Sequence, residues 1–214
     1  MQTEKIVSIL ILIHALFGGF ALIAGSVALI SKKGGSTHKK SGRVFFYSML
    51  FSAFVSTVVA LLPNHKNPFL FSIGIFSSYF LLSGILSLEY RNPKISLRRP
   101  KALAVTIIIT SLIMVLFPII YLGVLNIVLV VFGILGLTFG VLDLRLFTNP
   151  SRLSESWLTS HLGKMTGGYI SAVSAFFVVN QILPGIWNWF IPGIVGGVFI
   201  TYWTNKINKK KNSS

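Results

Sequence analysis

Long stretches without charge limit what this chain can fold into more than any other feature. Ile6–Ile30 contains no charged residue, and 53% of the chain is hydrophobic while only 11% is charged. Soluble domains average about 25% charged residues, and a helix needs about 20 apolar residues to cross a bilayer. The sequence therefore predicts an integral membrane protein. Because the first run is longer than the roughly 7–15-residue apolar core of a signal peptide, we expect it to remain as a spanning helix.

Seven apolar segments are separated by short breaks rich in Gly, Pro, Asn and Ser, which is typical of turns between helices. We predict an all-α, seven-transmembrane-helix bundle that forms one domain over residues 1–205, followed by a basic tail over residues 206–214. The predicted spans are Ile6–Ile30, Gly42–Leu62, Pro68–Leu88, Ala102–Leu122, Leu125–Phe147, Leu158–Leu183 and Gly185–Thr204.

The basic residues indicate the orientation of the bundle. The net charge is +15, and all but Lys5 and Lys66 of the 19 Lys and Arg residues fall at the same ends of the predicted spans. Cytoplasmic loops carry such an excess, so we predict a multi-pass inner-membrane protein with its N-terminus outside and its C-terminus in the cytoplasm. We expect the basic loops and tail to contact anionic lipid. Clustering of the charge between apolar runs argues against a nucleic-acid partner, and no protein partner is indicated.

Small residues recur at helical spacing on the first and sixth spans. Helices in lipid associate through close packing, which favours small side chains, so we predict that these two spans are neighbours. The predicted packing faces comprise His14, Gly18, Ala21, Gly25 and Ala28 on span one, and Gly168, Ser171, Ala172 and Ala175 on span six.

Four polar residues at or near membrane depth are candidates for a functional site, because such residues are costly in a bilayer. We predict cofactor binding by His14, His38 and His161, and a metal set of His38, Asp143 and His161 for zinc or ferrous iron. His14 is about 25 Å along span one from its inner end, so straight helices do not bring it to the inner residues.

Structural roles for the same residues remain open. Asp143 can pair with Arg145 or Lys164, and His38 can be a solvated loop residue. His14 can bond a carbonyl of a neighbouring helix or take part in a proton relay.

Two segments carry a resemblance to a known family. The stretches "HALFGGFALIAGSVALISKKGGSTHKKSGRVFFYSM" and "HLGKMTGGYISAVSAFFVVN", with "GVLDLR" between them, resemble the two halves of an uncharacterised family of bacterial predicted multi-pass membrane proteins. The resemblance implies no activity. It implies that His14, His38, Asp143 and His161 belong to one pattern.

Several functions are compatible with these residues. The first is a membrane protein that binds a metal or one haem toward the cytoplasmic side. Alternatives are a zinc-dependent membrane hydrolase, a small transporter, and a structural or partner-binding membrane subunit without a cofactor. The chain has no cysteine, and it has neither a Walker motif nor a G-x-G-x-x-G motif, so the sequence does not favour thiolate chemistry or these phosphate-binding loops.

Overall fold

The computed structural model describes residues 2–92 and 94–212, and this part of the chain is helical without a β-strand. A 3-10 helix, Ser87–Arg91, extends the third α-helix. The predicted all-α fold with seven helices is confirmed for the described residues. The α-helices are α1 (Gln2–Ile30), α2 (Ser36–Val59), α3 (Pro68–Leu86), α4 (Arg98–Leu122), α5 (Ile127–Leu146), α6 (Pro150–Asn180) and α7 (Trp187–Asn212).

Six helices, α1 to α6, are long and apolar enough to cross a membrane. α7 has sufficient length, but its apolar centre is short because Asn188 lies near its start and Tyr202 and Trp203 follow Ile200. Aromatic residues of this kind prefer the membrane interface to its hydrocarbon core. The structure therefore supports six candidate spans, and a seventh span formed by α7 stays a prediction.

Several helices extend beyond the predicted apolar spans. α6 begins at Pro150 rather than Leu158, because Pro150 occupies its first turn and the Asn149 side chain accepts a hydrogen bond from the Arg152 amide at 3.0 Å. Its 31 residues extend about 46 Å, more than a hydrocarbon core requires. The predicted basic tail over residues 206–214 is helical as far as Asn212, because α7 continues into it. Ser213 and Ser214 lie outside the described residues.

The helices pack as neighbouring pairs around α3. The most extensive contacts are α1 with α2, α4 with α5 and α6 with α7, while α3 contacts α2, α4 and α6. α1 does touch α6, as the small-residue faces predicted, but its main neighbour is α2. A core of aromatic rings that includes Phe76, Phe80 and Phe132 fills the space between α3, α4 and α5.

The two ends of the bundle differ in charge. At one end, the Nε2 atom of His65 lies 3.0 Å from the Glu4 carboxylate, which joins the start of α1 to the turn before α3. The opposite end, called the basic end below, carries the α1–α2, α3–α4 and α5–α6 connections and the end of α7. Most Lys and Arg residues of the chain lie there, including Lys33, Arg91 and Arg98.

Candidate functional site

A buried group of three ionisable side chains lies between α3, α5 and α6. Asp143 and Lys164 are each 7% exposed, and Tyr79 is 2% exposed. The Tyr79 hydroxyl donates to Oδ2 of Asp143 at 2.7 Å, and the Lys164 ammonium donates to the same oxygen and to the Tyr79 hydroxyl, the latter at 3.2 Å. We call Tyr79, Asp143 and Lys164 the charged centre.

Small residues on α5 allow this helix to pack closely against α4 beside the charged centre. On α5, Gly133, Gly136 and Gly140 precede Asp143 on one buried face. A Cβ atom at Gly140 would lie 3.0 Å from the carbonyl oxygen of Ala104, so α5 packs directly against the α4 backbone there. The same face carries Asp143 one turn later, and the carboxylate therefore points into the bundle.

The charged centre changes the roles expected for two residues. Lys164 is buried and paired with Asp143, although its position in the sequence groups it with the cationic loops. Arg145 and Lys164 were the two expected cationic partners of Asp143, and the structure pairs it with Lys164. Because a buried charge is very costly without its partner, the carboxylate is committed to this pair. The predicted set of His38, Asp143 and His161 is therefore not brought together.

His161 lies on α6 against the end of α3. Its Nδ1 atom is 2.7 Å from the carbonyl oxygen of Gly84. α3 and α6 approach closely at this point, because a Cβ atom at Gly84 would lie 2.8 Å from the Met165 sulfur and 3.2 Å from its backbone nitrogen. The absence of a side chain at Gly84 allows the imidazole to reach the α3 backbone.

His38 lies in the first turns of α2, not in a solvated loop, because α2 begins at Ser36. Its Nδ1 atom is 3.0 Å from the carbonyl oxygen of Ala28, near the end of α1. Lys33 donates to the same oxygen at 3.3 Å and also to the Leu29 carbonyl. Partial burial lowers the pKa of Lys33. These bonds satisfy carbonyl groups that the helix end leaves free.

His38 and His161 both bond to backbone carbonyls toward the basic end, His38 to Ala28 on α1 and His161 to Gly84 on α3. A carbonyl oxygen only accepts hydrogen bonds, so each Nδ1 atom carries the proton when the ring is neutral. The Nε2 atom of each ring then has a free lone pair, and neither Nε2 atom hydrogen-bonds to another described residue. The structure thus places two of the three histidines of the predicted cofactor site toward the basic end, each bonded to a backbone carbonyl.

His14 is separate from this pair. Its Nδ1 atom lies 3.0 Å from the carbonyl oxygen and 2.8 Å from the hydroxyl of Ser52 on α2, and that hydroxyl is 2.9 Å from the His14 carbonyl. Along α1, His14 is about 21 Å from Ala28, which accepts the His38 bond. The hydrogen bond to a neighbouring helix, one of the roles left open for His14, is the one present.

No group of three or more His, Cys, Asp or Glu side chains between residues 2 and 212, with residue 93 left aside, is arranged to hold a metal ion. Among the described residues, no third His, Cys, Asp or Glu side chain forms such a group with His38 and His161. Any further ligand to a metal there must come from water, a cofactor or another molecule.

Sequence reasoning missed Tyr79 and the buried state of Lys164, although one signal was present for the lysine. Lys164 precedes Gly168 by four residues and Ala172 by eight, so it falls on the predicted packing face of α6. Nothing in the local sequence marks Tyr79, because its partners come from α5 and α6.

Comparisons of the chain with protein-family models, with curated proteins and with solved structures find no match. The resemblance to a bacterial family of multi-pass membrane proteins therefore stays a prediction.

Two buried tyrosines provide a matched test of the charged centre. We expect Tyr79→Phe to lower the free energy of unfolding by about 1–3 kcal/mol, because a hydrogen bond to a buried carboxylate is lost. The Tyr90 hydroxyl is buried without a hydrogen-bond partner among the described residues. Tyr90→Phe should be neutral or stabilising. Unfolding of both variants in detergent micelles checks this, and equal losses would contradict the assigned role of Tyr79.

Proposed function

We propose that this protein is a multi-pass inner-membrane protein that holds a metal ion or the iron of one haem between His38 and His161 at its cytoplasmic side. The observation that carries the proposal is that the two imidazole rings are held in the same way. Each donates its Nδ1 proton to a backbone carbonyl, which leaves Nε2 as an oriented lone pair. Histidines that bind metals are commonly held in this way by their second nitrogen.

The proposed orientation places the basic end in the cytoplasm and the N-terminus outside. In the sequence, all but two of the 19 Lys and Arg residues support this orientation. Lys164 is buried and no longer counts as a loop charge, but the excess of basic residues at this end stays large. An N-terminus outside and a C-terminus in the cytoplasm also require α7 to cross the membrane. His38 and His161 then lie near the cytoplasmic surface.

The donor set limits the groups that fit. His38 and His161 would hold the iron of one haem, or a zinc, copper or iron ion, through their imidazoles. A haem bound there would supply electron transfer. The chain's own contribution is to fix the ring tautomers through Ala28 and Gly84. A zinc-dependent hydrolase fits less well, because Asp143 is committed to Lys164 and does not add a carboxylate to the histidines.

One observation favours a second function, that of a structural or partner-binding membrane subunit without a cofactor. His14, His38 and His161 each already have a backbone acceptor, which is sufficient to explain an imidazole inside a helical bundle. In this alternative, His38 and His161 hold α1 to α2 and α3 to α6, respectively.

Metal content distinguishes the two functions. We would purify the protein in mild detergent from cells supplied with iron, zinc, copper and a haem precursor, then count metals per chain and record the absorption spectrum. We expect about one metal or haem per wild-type chain, lost in both His38→Ala and His161→Ala. His65→Ala is the matched control, because His65 pairs with Glu4 at the opposite end.

A further variant guards against misfolding as the cause of metal loss. The amide of His161→Gln can still donate to the Gly84 carbonyl, but it does not replace the Nε2 lone pair. We expect this variant to fold and to lack the metal. A wild-type protein without metal or haem, or a metal retained in both alanine variants, would contradict the cofactor proposal and leave the structural function.

A further inference from the structure

A cleft of about 620 Å³ opens on the side of the bundle between α2 and α4, with α3 as its floor. Aromatic and aliphatic side chains dominate its walls. The hydroxyls of Thr57 and Ser78 donate to carbonyls of their own helices, so they place little polarity in the cleft. The residues used below are Tyr47, Phe51 and Phe54 on α2, Tyr79 and Leu82 on α3, and Leu103 on α4.

The cleft has a cationic end. α2 and α4 both begin at the basic end, so they run in parallel. Lys40 and Arg43 lie seven and four residues before Tyr47, on the same face of α2. Arg99 lies four residues before Leu103, on the corresponding face of α4. Both walls therefore carry cations where the apolar surface ends.

These cations are free to bind an anion. Lys40, Arg43 and Arg99 are exposed, and none forms an ion pair with another residue in the described part of the chain. The chain has only four Asp and Glu residues, and the two ion pairs among the described residues, His65 with Glu4 and Lys164 with Asp143, involve none of these cations. The charged end of the cleft thus lacks a counterion from the protein itself.

The length of the apolar part matches one leaflet of a bilayer. From Tyr47 to Thr57, α2 rises about 15 Å, which is half of a hydrocarbon core of about 30 Å. A ligand that fills the cleft therefore needs an apolar chain of leaflet length and an anionic group at its end. A phospholipid with an anionic headgroup has both features.

We propose that this cleft is a binding site for an anionic phospholipid of the leaflet at the basic end. One acyl chain lies along Phe51, Phe54 and Leu82, and the phosphate contacts Arg43 and Arg99. The acyl chain also covers the ring of Tyr79, whose hydroxyl belongs to the charged centre. The site is independent of His38 and His161, so it does not depend on the proposed cofactor.

Competition between two phospholipids with the same acyl chains tests the site. Delipidated protein in mild detergent would receive phosphatidylglycerol or phosphatidylcholine, and bound lipid would be counted by native mass spectrometry over a concentration series. We expect the wild-type protein to prefer phosphatidylglycerol. In the double variant Arg43→Gln/Arg99→Gln, the loss of each arginine should weaken phosphatidylglycerol binding about fivefold. Phosphatidylcholine binding should change little.

Two further variants separate this site from general attraction to the basic end. Arg152→Gln/Lys209→Gln removes the same charge from exposed positions on α6 and α7 and should keep the preference. Leu103→Trp should fill the cleft and weaken binding of both lipids. Equal binding of the two lipids by the wild-type protein, or equal losses in the two charge variants, would overturn the proposal. So would unchanged binding in Leu103→Trp.

Discussion

Asp143→Asn is expected to lower the free energy of unfolding by about 3–5 kcal/mol, because it leaves the Lys164 ammonium buried without its countercharge. Lys164→Met should cost a similar amount by leaving the carboxylate unpaired. The variant with Asp143→Leu, Lys164→Met and Tyr79→Phe together removes every polar group of the charged centre. It should recover most of the loss, since apolar side chains of similar volume often replace a buried ion pair without cost.

Reversible unfolding in micelles would measure these differences, with Arg145→Gln as the control. Arg145 is exposed on the same helix, two residues from Asp143, and its loss should change the free energy of unfolding by less than about 0.5 kcal/mol. A loss of under 1 kcal/mol in Asp143→Asn would show that the pair is not buried as described. Additive losses in the triple variant would show that the three side chains do not act together.

Local sequence information was sufficient for the helices but not for their polar contacts. Charge-free runs such as Ile6–Ile30 mark spanning helices because the bilayer acts on each segment separately. The helix ends were less well predicted. Hydropathy begins span six at Leu158, whereas the Asn149 side chain and Pro150 begin α6 eight residues earlier.

The candidate site was predictable in part. The rise per residue of an α-helix was sufficient to separate His14 from the basic end, because that rise does not depend on the neighbouring helices. It also placed His38, Asp143 and His161 at one end, but it does not say which way each side chain points. Asp143 and Lys164 lie on the faces that carry small residues, and both side chains reach Tyr79 on α3. That pairing depends on three helices far apart in sequence.

Gly25→Leu should destabilise the protein through steric crowding between α1, α2 and α6. A Cβ atom at Gly25 would lie 2.4 Å from the Tyr169 ring and 3.1 Å from the Phe45 ring. A side chain there must displace Tyr169, whose hydroxyl is 2.6 Å from the Ser26 hydroxyl. We expect a loss of about 1–3 kcal/mol, the usual cost of overpacking a close contact.

The matched control lies on the same helix. A Cβ atom at Gly19 would have no atom within 4 Å, so Gly19→Leu adds a side chain in open space and should be neutral or slightly stabilising. A double-mutant cycle makes the test specific. If Tyr169 is the main obstacle, Tyr169→Ala should recover part of the Gly25→Leu loss, giving a coupling of about 0.5–3 kcal/mol. Equal losses at Gly25 and Gly19 would mean that the close contact between α1 and α6 is absent. A large Gly25→Leu loss without coupling would instead assign the crowding to Phe45 on α2.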